Sequence, residues 1–212
     1  MSRLRDFAAC TTVMLCCAAL GQTAVKAPPA PAKRVVPRKT FTDPANGVSF
    51  RYPAVWKFAT TSTAFMGSPD ILQRGQTGQA VVTFTSAGNF YAKTNLNGLE
   101  FTYVALPGTS ETACAAAATA NASGSVSKPD TVTINGVPFL HVSYGSAGMC
   151  HQEGSTVYET YQNGRCYLFE ADVHTTCPMV DDGKRALTGA ESKALQRHLD
   201  AIIQTVRIAP PK

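Results

Sequence analysis

The stretch Thr156-Val-Tyr-Glu-Thr-Tyr161-Gln-Asn163-Gly164-Arg-Cys166-Tyr-Leu-Phe-Glu-Ala-Asp-Val173 decides the reading of this 212-residue chain. Two apolar-aromatic runs flank Asn-Gly. That dipeptide suits a type I′ turn, because both central residues of such a turn need positive φ. A two-residue loop pairs Gln162 with Arg165. The register then runs outward through Tyr161 opposite Cys166 and Tyr158 opposite Phe169, and reaches Cys150 opposite Cys177 at the open end. Tyr158, Thr160, Tyr167, Phe169 and Ala171 line one side of this hairpin, and Cys166 points to the other.

Seven cysteines occur, of which Cys10, Cys16 and Cys17 lie in the N-terminal stretch. That stretch has the three parts of a secretory signal. Arg3 and Arg5 form a basic start, Ala8–Leu20 an apolar run, and Ala19 and Gly21 a small-residue end, predicting cleavage before Gln22. The run is too short to cross a bilayer of roughly 30 Å as a helix. The reading is therefore a secreted or periplasmic protein with four remaining cysteines, an even number that favours disulfides. Register predicts Cys150–Cys177. Elimination leaves Cys114–Cys166, which requires the Ala-rich segment around Cys114 to cover the face to which Cys166 points.

Residues 22–40 alternate Pro and Ala with Lys33, Arg34, Arg38 and Lys39, and read as a linker. Residues 41–209 form one domain, long enough to bury a core without disulfides, and residues 210–212 form a tail. Seven of the 19 basic residues fall in the first 40 positions, against one of the 14 acidic; the remainder carries 12 basic against 13 acidic. The folded domain lacks the charge of a nucleic-acid binder. The linker is basic enough to touch an anionic surface; as a solvated spacer it needs no such contact.

Within the domain, Val48, Phe50 and Tyr52 alternate as a strand after the turn cluster Asp43–Gly47, and Trp56 follows as a core anchor. Ala80–Thr85 and Glu100–Leu106 read as strands, with a turn marked by Asn95, Asn97 and Gly98. Glu111–Asn121 is the best helix-forming stretch. Asn135-Gly136 predicts a second hairpin, whose outgoing strand runs to about Tyr144 before Gly145–Gly148 loosens it. Thr188-x-x-Glu191 is a capping box for an amphipathic helix over 189–204, with Leu195, Leu199, Ile202 and Val206 as its buried stripe. Strands outnumber helices and tight turns join them. The fold class is α+β, an antiparallel β-sheet with helices packed on its faces.

Asn46-Gly47-Val48-Ser49-Phe50-Arg51-Tyr52-Pro53 followed by Trp56 resembles the opening signature of the PsbP-like family, the extrinsic photosystem II protein and its exported bacterial relatives. The final helix followed by Thr205-Val206-Arg207-Ile208 is similar to that family's ending. The resemblance implies an α-β-α sandwich and a non-catalytic accessory role.

No nucleophile elbow, P-loop, H-E-x-x-H or dinucleotide fingerprint occurs. Ser146 sits among Gly145, Ala147 and Gly148 without the elbow spacing. No catalytic residue, cofactor or metal is therefore assigned. Asp181-Asp182 reads as a solvated turn, and Asn121-Ala122-Ser123 is a glycosylation sequon. His198 is placed on the solvated side of the last helix, and His141 on a strand with a local hydrogen bond. The expectation is an exported, monomeric, non-catalytic binding module for an envelope or extracellular protein. Two alternatives stand beside it. One is an exported hydrolase with an unrecognised site, which requires a deep pocket where two titratable groups meet. The other is a small zinc protein using Cys150, His151, His174 and Cys177, a ligand set that zinc accepts.

Overall fold

The computed structural model describes residues 37–59, 80–87, 90–117, 125–148, 150–177 and 183–210. The signal segment, most of the linker, the sequon, the Asp181-Asp182 pair, the Ser146 side chain and the end of the Ala-rich helix lie outside the described residues.

Asn163 and Gly164 adopt φ of 54° and 73°, the turn geometry that Asn-Gly favours. The chain opens with β1 (Arg38–Asp43), β2 (Val48–Pro53), β3 (Lys57–Ala59), β4 (Ala80–Ala87) and β5 (Leu96–Pro107). Helix α1 (Glu111–Ala117) follows, then β6 (Ser125–Val126), β7 (Asp130–Ile134), β8 (Val137–Gly148), β9 (His151–Gln162) and β10 (Arg165–Thr176). Helix α2 (Gly189–Ile203) and β11 (Arg207–Ile208) close the chain. Strands β9 and β10 pair from Gln162–Arg165 out to His151–Thr176 in the register that the turn dictates. They lie inside an antiparallel sheet ordered β3-β4-β5-β10-β9-β8-β6, with β7 also on β8. A second sheet, β1-β2-β11, is smaller. The architecture is α+β, antiparallel sheets with helices on their faces.

The two faces of the large sheet carry separate cores. One packs Phe101, Tyr103, Tyr167 and Phe169 against Phe50, Trp56 and the α2 stripe of Leu195, Leu199 and Ile202. The other packs Val104, Leu106, Val157, Cys166 and Leu168 under Cys114 of α1. The Ala-rich helix thus covers the face to which Cys166 points. The Thr188–Glu191 capping box forms, with Thr188 Oγ1 accepting from the Glu191 N–H at 3.2 Å. The Asp43–Gly47 turn is held by Asp43 accepting from Asn46 Nδ2 at 2.7 Å and by Tyr167 donating to the Asn46 carbonyl at 2.9 Å. Gly47 is obligatory there, because its φ is 70° and a Cβ would overlap the Ala209 carbonyl.

Four expectations are corrected. Strand β1 takes in Arg38, Lys39 and Thr40, which the composition assigns to the linker; an edge strand tolerates basic residues. Asn97 and Gly98 lie inside β5, not at a turn. Gly98 pairs with Ala87 of β4 and with His174 of β10, which overrides its turn preference, and Asn97 is the residue passed over at the register shift beside His174. Strand β8 runs on through Gly145 to Gly148 because β9 pairs with it along that length. His198 is no solvated helix residue: its ring lies 5.0 Å from Phe90 and 6.2 Å from Trp56, and burial lowers its pKa. His141 has its local partner, with Nδ1 2.6 Å from Asp130.

Candidate functional site

The open end of the β9–β10 hairpin gathers the polar chemistry of the described residues. Alternation on β10 sends Glu170, Asp172 and His174 to the face shared with Cys166 and Leu168. Across the ladder on β5, Thr102 stands opposite Glu170 and Glu100 opposite Asp172. On β9, Ser155 stands opposite Asp172 and Glu153 opposite His174. Glu100, Glu170 and Asp172 are 1–3 % exposed, whereas Glu153 and His174 are half-buried.

Hydrogen bonds hold part of this cluster. Thr102 Oγ1 donates to Glu100 Oε1 and Ser155 Oγ to Glu153 Oε1, each at 3.3 Å. The Tyr144 hydroxyl donates to Glu170 Oε1. His174 Nε2 lies 3.8 Å from Glu100 Oε2. Ligand atoms of Glu153, Asp172 and His174 all fall within 4.8 Å of one another. Burial sets the electrostatics. It pushes Glu100 up to about 7, with Glu153 adding to the rise and the Thr102 hydrogen bond opposing it. It pushes Asp172 well above the usual carboxylate range, with Glu170 adding to the rise. It holds the His174 imidazole down, toward its neutral form.

The opposite face at this end carries a groove of about 410 Å³ between α2 and the hairpin. Val173 and Leu187 line it together with polar and charged residues that include Gln152, Glu153, Lys193 and Gln196. Val173 and Leu187 pack partly into the core.

The four cysteines separate into two pairs. Cys114 and Cys166 are bonded, with Cα atoms 5.4 Å apart, joining α1 to β10. Cys150 and Cys177 are thiols that hydrogen-bond to each other, which raises Cys177; the bond expected between them is not formed. Their backbones do meet in register, Cys177 N–H donating to the Cys150 carbonyl at 2.8 Å. This is the hydrogen-bonded kind of pair, in which side chains stand farther apart. Cys150 also occupies the turn between β8 and β9 with φ of 66°, which takes its Cβ out of the pleat. The four-residue zinc set does not assemble. His151 is exposed, and His174 converges with Glu153 and Asp172 in place of the two thiols.

No sequence motif marks Glu100, Glu153, Glu170 or Asp172. The available signal was alternation: Glu170, Asp172 and His174 fall at the same parity as Cys166, so acids occupy inward positions of a central strand.

No family model matches the sequence, and no curated protein matches it. Several solved structures do. Cyanobacterial PsbP from Synechocystis superposes at TM-score 0.45 with 13% identity, covering 85% of this chain and 97% of that one. The Ran-binding protein Mog1p of Saccharomyces cerevisiae gives 0.48 and 12%, covering 83% and 97%. A Bacteroides thetaiotaomicron protein gives 0.44 and 13%. It covers 81% of this chain, which spans about half (48%) of that one. Likeness at this level transfers neither activity nor partner.

Proposed function

We propose that this chain is an exported, non-catalytic binding module of PsbP-like type that takes a neutral stretch of an envelope protein in the groove between α2 and the β9–β10 hairpin. The groove is the observation that carries the reading. Its volume of about 410 Å³ falls in the range of ligand-sized clefts. Its apolar lining of Val173 and Leu187 offers burial for an apolar side chain, and Gln152, Thr175 and Gln196 offer hydrogen-bond groups for a peptide backbone. The Arg3–Gly21 signal pattern supports the export half of the reading.

The test is photo-crosslinking from position 152 at the groove in the envelope of the native host, compared with the same probe in a Gln196→Trp background that fills the groove. A discrete partner joined to the parent and lost from the variant is the expected result. Capture undiminished by the filled groove overturns the docking site. Met1 retained on cytosolic protein, read by N-terminal sequencing, overturns export.

A further inference from the structure

We propose that the end of the large sheet binds one divalent first-row cation, of the zinc or manganese kind, on Glu153 of β9 and on Asp172 and His174 of β10. The three side chains come from adjacent positions of a regular ladder. Asp172 and His174 are two residues apart on one strand face, and Glu153 stands directly opposite His174. Their ligand atoms lie within 4.8 Å of one another, close enough to be drawn onto a single ion. Asp172 supplies an independent sign of a missing ligand. The residue is 3% exposed, yet among the described residues its buried Oδ1 has no hydrogen-bond partner. A buried carboxylate oxygen left so costs desolvation that a cation would recover.

The donor set selects the class of ion. Two carboxylates and a neutral imidazole carry a formal charge of about −2, which one divalent cation balances. An imidazole nitrogen among the ligands favours zinc or manganese over calcium, which takes 6–8 oxygens. Three protein ligands leave room for water, as in open zinc sites. The surroundings are those that orient ligands: Ser155 Oγ donates to Glu153 Oε1, and Glu100 Oε2 lies 3.8 Å from His174 Nε2. Glu153 and His174 are half-buried, so the site has a route to solvent along its outer edge.

The test uses the mature chain with Cys150→Ser and Cys177→Ser, so that the thiols cannot hold zinc. After chelator treatment, Zn²⁺, Mn²⁺ and Ca²⁺ are titrated separately by calorimetry, and the thermal midpoint is read with and without ion. The expected result is one ion per chain and a midpoint that rises with the ion. In Glu153→Gln and in Asp172→Asn, affinity should fall by roughly tenfold or more and the rise should vanish. If Asp172→Asn fails to fold, Glu153→Gln at the half-buried position decides alone. Absence of binding of either ion at about 100 μM, tighter binding of Ca²⁺, or unchanged affinity in Glu153→Gln overturns the proposal.

Discussion

Opening the Cys114–Cys166 bond should cost this domain about 4 kcal/mol. The two residues are 52 apart in sequence. In the loop-entropy model, closing a loop of that length removes roughly 14 cal/mol/K from the unfolded ensemble, which is about 4 kcal/mol at 25 °C. Against a typical total of roughly 5–15 kcal/mol, that is a large share. For a domain of this size it corresponds to a fall in Tm of roughly 8–16 °C. Both cysteines are fully buried in the core under α1, alongside Val104, Leu106, Val157 and Leu168. Two perturbations therefore separate cross-linking from packing. Reduction leaves both sulfurs in place. Replacing Cys114 and Cys166 by Ala also removes them, and should cost about 1–2 kcal/mol more. The assay is guanidinium unfolding of the Cys150→Ser/Cys177→Ser chain, with and without reductant, beside the Cys114→Ala/Cys166→Ala form. A loss of less than about 1 kcal/mol on reduction would refute the loop-entropy reasoning. A mass spectrum of the unsubstituted mature chain showing Cys166 joined to any cysteine other than Cys114 would refute the assignment of faces.

Two further outcomes follow from α2. Leu199 is fully buried in the core beneath that helix, so Leu199→Ala should cost about 2–5 kcal/mol by urea unfolding; unchanged stability would mean the stripe does not carry the packing. Glu191 takes a bidentate contact from Arg185 at 2.6 and 2.7 Å and bonds from Thr188, and these hold its carboxyl down at about 2. Its folded pKa lies below its unfolded one, so this contribution is present above about pH 4.5 and is lost as pH falls toward 2. NMR titration of the Glu191 carboxyl checks the value, and Glu191→Gln should flatten that part of the acid limb.

Local chemistry explains why so much of the framework is legible in the sequence. Asn163-Gly164 and Asn135-Gly136 specify turns through their own dihedral preferences, and each turn fixes the register of the strands beside it. The capping box and the 3.6-residue spacing of Leu195, Leu199, Ile202 and Val206 specify α2 and its buried side. Because alternation is also local, it divides the hairpin into two faces, which is enough to bring Cys114 over Cys166.

What surrounds a residue is not local, and there the structure decided. Gly98 favours a turn, yet pairing with β4 and β10 draws it into a strand, and Asn97 is carried along at a register shift. His174 and Cys177 are close in sequence, but His174 gathers with Glu153 and Asp172 while Cys177 meets Cys150 in a turn at positive φ. Burial of Glu100, Glu170 and Asp172 likewise depends on β5 and β9 standing on either side of β10. A carboxylate's solvation is set by every strand packed around it, so the acidic cluster exists only once the sheet is assembled. The turns, register and faces were determined by the sequence alone; the convergence of acids with an imidazole, and the groove beside α2, were decided by tertiary packing.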